Sequence, residues 1–299
     1  MGYLFLALAN LAGAAKGYCG KKVSSSVKKT SDAMLANFLR MLICIFIGFA
    51  VVVFIDGFIG FNISFPNLLI SLLSGVSNAI FVISWLFAVT RGAYMLVDVF
   101  LTVGLAVPIA LCAIFYGEEI KYNHLIGFAI LLVAVILMCS YSNSVKTKLT
   151  LNSLLLLLLC GLSSGLASFS QKWFVYESNG GSVSAFNFYT YVFAAAVLLL
   201  SFLILKNAKK KEESIEEKFT LRPVWLYIVI MAIMLFSHSL LMTLAATELE
   251  AVLLYPLSNG LALFLSTLMC AVFFKEKPNL KSILGIVLAF VAIMFINLL

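Results

Sequence analysis

From Phe65 to Thr90 the chain carries no charged side chain, and from Met41 to Ile55 it carries none either. Stretches of this kind recur along all 299 residues, of which 63% are hydrophobic and only 11% charged. A soluble domain holds about 25% charged residues. Apolar runs of about 20 residues have the length of a membrane-crossing helix. Lipid offers the backbone no hydrogen-bond partner, so a crossing segment must be a helix or part of a closed barrel. Barrel strands alternate apolar and polar residues, and these runs do not. The expected fold class is therefore an all-α polytopic membrane protein. Its ten expected spans are 2–19, 33–55, 67–90, 92–115, 122–141, 152–175, 184–205, 224–247, 249–274 and 280–299.

The formal net charge of +7 does not point to nucleic acid, because most basic residues fall in short connections. The odd-numbered connections hold Lys21, Lys22, Lys28, Lys29, Arg91, Lys146, Lys148, Lys209, Lys210, Lys211 and Lys275, among others. The even-numbered ones hold Lys121, with Lys172 near another. Cytoplasmic loops are enriched in lysine and arginine, so the odd connections are expected in the cytoplasm and both termini outside. The location expected is the cell membrane, crossed many times. Cys19, Cys44, Cys112, Cys139, Cys160 and Cys270 are scattered through apolar segments, without the spacing of a disulfide or metal framework. No cofactor or metal is expected. The residues before Cys19 lack a basic n-region and are read as the first span, not as a cleaved leader.

One short pattern occurs twice. Cys112-Ala113-Ile114-Phe115-Tyr116-Gly117-Glu118 is matched by Cys270-Ala271-Val272-Phe273-Phe274-Lys275-Glu276. Gly127 then pairs with Gly285, and Val133-Ala134 with Val291-Ala292, all at one constant offset. Each copy is a helical hairpin: an apolar span ending in aromatics, a carboxylate in the turn, and a glycine inside the next span. The small-residue span around Gly13 to Gly17 has a counterpart around Gly161 to Ser168. Two five-helix repeats are expected, residues 1–148 and 149–299. Because each has an odd number of spans, the second enters the membrane inverted relative to the first. Inverted repeats are characteristic of secondary transporters, whose sites lie near the bilayer midplane at the repeat interface.

These hairpins, Tyr116-Gly117-Glu118 with Gly127 and Phe274-Lys275-Glu276 with Gly285, resemble those of the drug/metabolite transporter superfamily, in its ten-helix EamA-like branch. The resemblance implies a secondary transporter with a central cavity lined by spans one, three, four, six, eight and nine. It also implies cytoplasmic termini, opposite to the charge distribution. The second hairpin departs from the pattern, with Lys275 where the first has Gly117.

An ionisable group near the bilayer centre costs about 2.5 kcal/mol or more on insertion scales and so marks function. Asp98 is the foremost candidate, with Tyr94 and Thr102 at four-residue spacing on one helix face. It would face a substrate cation or take the coupling proton; capping, or pairing with Arg91, is the plainer alternative. His238, Asn78, Trp85, Tyr255 and Asn259 are further candidates, the last two flanking Pro256. For each, joining neighbouring helices is the competing role. Lys16 and Lys172 are expected to snorkel to the interface, with a substrate anion site as the alternative. Glu118 and Glu276 are expected at the membrane surface, accepting hydrogen bonds that fix the hairpins. With no basic residue in span nine before Lys275, the expected substrate is a small neutral, zwitterionic or cationic metabolite, moved by alternating access, with a proton as one candidate coupling ion. A non-transporting receptor or assembly partner on the same fold is the alternative. An enzyme is not expected, since no nucleophile, paired-acid or zinc motif is present. Replacing the candidate coupling acid, Asp98→Asn, should abolish gradient-driven movement in proteoliposomes while leaving the thermal unfolding midpoint unchanged; full activity would remove Asp98 from the mechanism.

Overall fold

The computed structural model describes residues 1–24, 30–90, 94–139, 151–178, 181–209, 224–273 and 280–297. These form eleven α-helices and one short 3₁₀ turn, with no strand among the described residues. In order they are α1 (Gly2–Ser24), α2 (Thr30–Ile55), the 3₁₀ turn (Phe58–Phe61), α3 (Phe65–Thr90), α4 (Tyr94–Gly104), α5 (Ala106–Tyr116) and α6 (Tyr122–Cys139). They continue with α7 (Leu151–Glu177), α8 (Val183–Lys209), α9 (Trp225–Ala246), α10 (Ala251–Phe273) and α11 (Leu280–Asn297). Every expected span has its helix.

The fourth span is broken in two. Pro108 has no N–H, so the Gly104 carbonyl lacks its donor four residues on. The chain closes a tighter turn there, Leu105 N–H donating to the Thr102 carbonyl at 3.2 Å, and α5 restarts at Ala106. Pro256, by contrast, sits inside a continuous α10.

Six of the described segments are long and apolar enough to cross a membrane unaided, among them Asp32–Ile55, Val99–Tyr116 and Trp225–Ala246. Tyr122–Leu137, Ala251–Leu265 and Ile283–Ile296 are shorter apolar helices. Large apolar side chains cover the outside of the bundle: Phe54 is 88% exposed, Phe46 74% and Ile114 73%. In water such a surface would be an aggregation site; in a bilayer it is solvated by acyl chains.

The most extensive helix pairings are α1 with α9, α3 with α7, α6 with α11, and α2 with α8. Exchanging α1 with α7, α2 with α8, α3 with α9, α4 and α5 with α10, and α6 with α11 maps this set onto itself. Glycine sets the closest approaches. A Cβ on Gly161 would collide with the Phe100 carbonyl oxygen of α4, and one on Gly104 with the Gly161 carbonyl. A Cβ on Gly127 would run into Ile296 and lie 2.9 Å from the Ala292 oxygen of α11. That is the task of the hairpin glycine in the first copy: it lets α6 and α11 touch backbone to side chain. Small residues serve this end in lipid, where helices gain nothing from excluding water.

Gly161→Val should lower the unfolding midpoint in detergent sharply, since overpacking costs about 1–3 kcal/mol and here the obstruction is backbone. Gly17→Ala, where an added Cβ meets nothing within 4 Å, should leave the midpoint unchanged or slightly raised. A differential scanning measurement on both variants checks the pair.

Candidate functional site

A cavity of about 490 Å³ lies in the middle of the bundle, the size of a small-metabolite site. Its walls come from α1, α2, α3, α4, α7, α8, α9 and α10, and no described residue of α6 or α11 is among them. The expected lining thus gains α2 and α8. Asn78, Trp85, His238, Tyr255 and Asn259 all face this space, so five residues from three spans that the sequence leaves far apart converge. Tyr94 and Asp98 lie on α4, but their side chains are outside the described residues.

The converging groups differ in what else they hold. Asn259 Nδ2 donates to Thr102 Oγ1 at 2.9 Å, joining α10 to α4. Tyr255 hydroxyl donates to the Ser168 carbonyl of α7. His238 Nδ1 lies 2.7 Å from the Ala9 carbonyl oxygen of α1. A carbonyl only accepts, so Nδ1 carries the proton and Nε2 of the neutral ring remains an acceptor. These three both line the cavity and tie its walls together. Asn78 is different: its amide donates to the Ser74 carbonyl on its own helix at 2.9 Å, which leaves its carbonyl oxygen for the cavity. From the cavity wall, Ser239 hydroxyl donates to Asn187 Oδ1 at 2.6 Å, and Asn187 Nδ2 to Thr243 Oγ1 at 3.3 Å.

Two expectations about lysine are corrected. Lys16 does not reach for the interface; it lines the cavity. Lys172 is only 3% exposed, because its ammonium sits 3.3 Å from Glu118 Oε1. Glu118 is likewise buried, not at a wetted surface. It accepts hydrogen bonds as expected, yet the donors lie outside its own hairpin: Tyr176 hydroxyl of α7 at 2.7 Å and the Ala251 N–H that begins α10 at 2.6 Å. One carboxylate therefore ties the α5–α6 turn to both α7 and α10. Gly117 permits this by taking a left-handed backbone, φ 68°, at the end of α5. Its non-glycine counterpart Lys275, and Glu276 itself, lie outside the described residues, while Gly285 lies on α11.

Arg40 has no place in the sequence expectations. It lines the cavity from α2, and its Nε is buried without a hydrogen-bond partner. The available signal was an ionisable residue seven positions inside an expected span, three residues after Asn37, which also faces the cavity.

At the end of the bundle that carries Met1, other loop contacts join the Glu118 cluster. Ser182 hydroxyl donates to Asp56 Oδ2 at 2.6 Å, and Tyr189 hydroxyl to the Phe61 carbonyl at 3.0 Å. Glu248 takes the terminal ammonium at 2.9 Å and the Gly2 N–H as well. These donors hold the exposed Glu248 carboxyl below the usual carboxylate range.

The profile of the EamA-like transporter family matches residues 151–298. A solved protein crystal structure covers 99% of this chain, and 96% of its own, with a TM-score of 0.79 at 15% identity. That likeness concerns the fold alone. No curated protein matches the chain.

Removing one partner of a buried ion pair costs about 3–5 kcal/mol, because the other charge is left without compensation. Glu118→Gln should therefore destabilise the protein strongly, and Glu118→Gln with Lys172→Met should recover much of the loss. Unfolding midpoints of the single and double variants test this.

Proposed function

Since the chain belongs to the EamA-like transporter family, a family of membrane transporters, we propose that it is a secondary transporter carrying a small metabolite across the cell membrane through the central cavity by alternating access. The observation that carries this reading is the convergence of Asn78, Trp85, His238, Tyr255 and Asn259 on one cavity within an apolar helical bundle. Polar groups gathered inside an apolar bundle support a functional site, since each one withdrawn from water costs free energy.

The helix pairings support two inverted five-helix repeats, residues 1–148 and 149–299. Under the exchange of halves, α1 on α9 becomes α7 on α3, while α6–α11 and α2–α8 map onto themselves. An arrangement with two equivalent halves has two equivalent ways to open, one toward each side. The ties at the Met1 end, through Glu118, Asp56 and Glu248, fit a state in which that side is shut. The remaining connections, on the opposite side, are those rich in lysine. If charge sets the orientation, the shut side is the outside and the cavity belongs to an inward-open state. Only a ligand or ion that binds the two states unequally can drive the exchange, and Asp98 is the proposed site for a coupling proton.

Asn78 separates a substrate role from a structural one, because its amide bond lies within its own helix. Asn78→Leu should lower counterflow of a labelled substrate at least tenfold in proteoliposomes, with the unfolding midpoint kept within a few degrees. The substrate is chosen first by thermal-shift screening of amino acids, sugars, nucleosides, amines and organic acids. Undiminished counterflow would take Asn78 out of the site, and a protein that binds its ligand without any counterflow would favour a receptor on this fold.

A further inference from the structure

The cavity contains two basic side chains and, among the described residues, no acidic one. Lys16 reaches it from α1 and Arg40 from α2, and the two are near enough to act on each other electrostatically. Neither forms an ion pair with a described residue. Arg40 Nε is, in addition, buried with no hydrogen-bond partner. Two like charges in one wall repel, and a guanidinium withdrawn from water with a donor unused is costly. A fold that keeps this pair needs something to relieve it. Guanidinium is a planar fork suited to carboxylate and phosphate oxygens, and an ammonium beside it supplies further donors.

We propose that the cavity binds a small organic molecule through a carboxylate or phosphate group held between Lys16 and Arg40. Asn37, one turn before Arg40, stands beside the anion-binding wall. Phe81 and Trp85 of α3 give the body of the ligand an aromatic surface, and Asn78 a hydrogen-bonding group. This deepens the transporter reading by naming the substrate class, and rests on it for the choice of cavity. It departs from the expectation of a neutral, zwitterionic or cationic substrate by requiring an anionic group on the ligand. That expectation rested on the lack of a basic residue in the ninth span, whereas the charge comes from the first and second.

Trp85 provides a direct readout that needs no known substrate. In a Trp173→Phe, Trp225→Phe background, Trp85 is the one remaining tryptophan. Its fluorescence in detergent should be quenched several-fold more strongly by iodide than by caesium at equal ionic strength. Lys16→Gln with Arg40→Gln should erase that preference. Succinate, glutamate, inorganic phosphate and glucose 6-phosphate are then compared with glucose and choline in thermal-shift titrations. At least one of the four anionic compounds should stabilise the parent at millimolar concentration, and the loss of Lys16 and Arg40 should weaken it tenfold or more. The carboxylate and phosphate arms tell the two head groups apart. Equal quenching by both ions, stabilisation by glucose or choline only, stabilisation by chloride with nothing gained from organic anions, or anion binding that survives both substitutions would each overturn the proposal. Binding is read here without transport, so absent counterflow beside intact anion binding would fail the transporter reading alone. A variant pair that does not fold is replaced by Lys16→Arg with Arg40→Lys, which should keep the iodide preference.

Discussion

Lys16 and Arg40 can remain charged inside an apolar bundle only if a polar space keeps them from the lipid. An isolated cation at that depth is costly on every scale, and neither residue has an acidic partner among the described residues. The cavity supplies that space. The rest of the architecture can be understood as what is required to hold it open. No described residue of α6 or α11 is in its lining; these helices pack on each other through Gly127 and stand outside it. The inner helices are drawn together by glycine where they touch, at Gly104, Gly161 and Gly165, and by hydrogen bonds between side chains and backbone where they part.

Two kinds of polar contact divide the labour. Around the cavity, bonds such as Asn259 to Thr102 and Tyr255 to the Ser168 carbonyl are single and neutral, so each is worth about 1 kcal/mol and can be exchanged for another. At the Met1 end the contacts are stronger. Glu118 has a cation, a hydroxyl and a backbone N–H at once. Charge-assisted bonds of this kind make a firm latch. A latch at one end and weak, replaceable bonds in the middle is the distribution expected of a bundle that opens at one side while its halves stay intact.

The spans were legible in the sequence because lipid allows so few solutions. An apolar run of the right length must be a helix, and the helices fall where hydropathy puts them. The break at Leu105 was less visible, since proline is tolerated in membrane helices, and Pro256 leaves α10 continuous where Pro108 breaks the fourth span. Convergence of Asn78, Trp85, His238, Tyr255 and Asn259 was readable in part, as polar or aromatic residues in apolar spans. The charged residues were not. Lys16 and Lys172 occupy similar places in similar small-residue helices, yet one faces a cavity and the other a buried carboxylate from a distant turn. Nothing local in the sequence distinguishes them, because the deciding neighbour comes from another helix. Arg40 escaped for a related reason: a single charge hardly lowers the mean hydropathy of so apolar a span.

The central claim is that the two halves exchange between a state shut at the Met1 end and one open there. Spin labels at Ile59 and Glu250, on loops of opposite halves at that end, measure it most directly by pulsed electron resonance in liposomes. The account predicts two distance populations in a cysteine-depleted background, with Glu118→Gln moving weight to the longer. A single distance, unmoved by loss of Glu118 and by every ligand that binds, would contradict it.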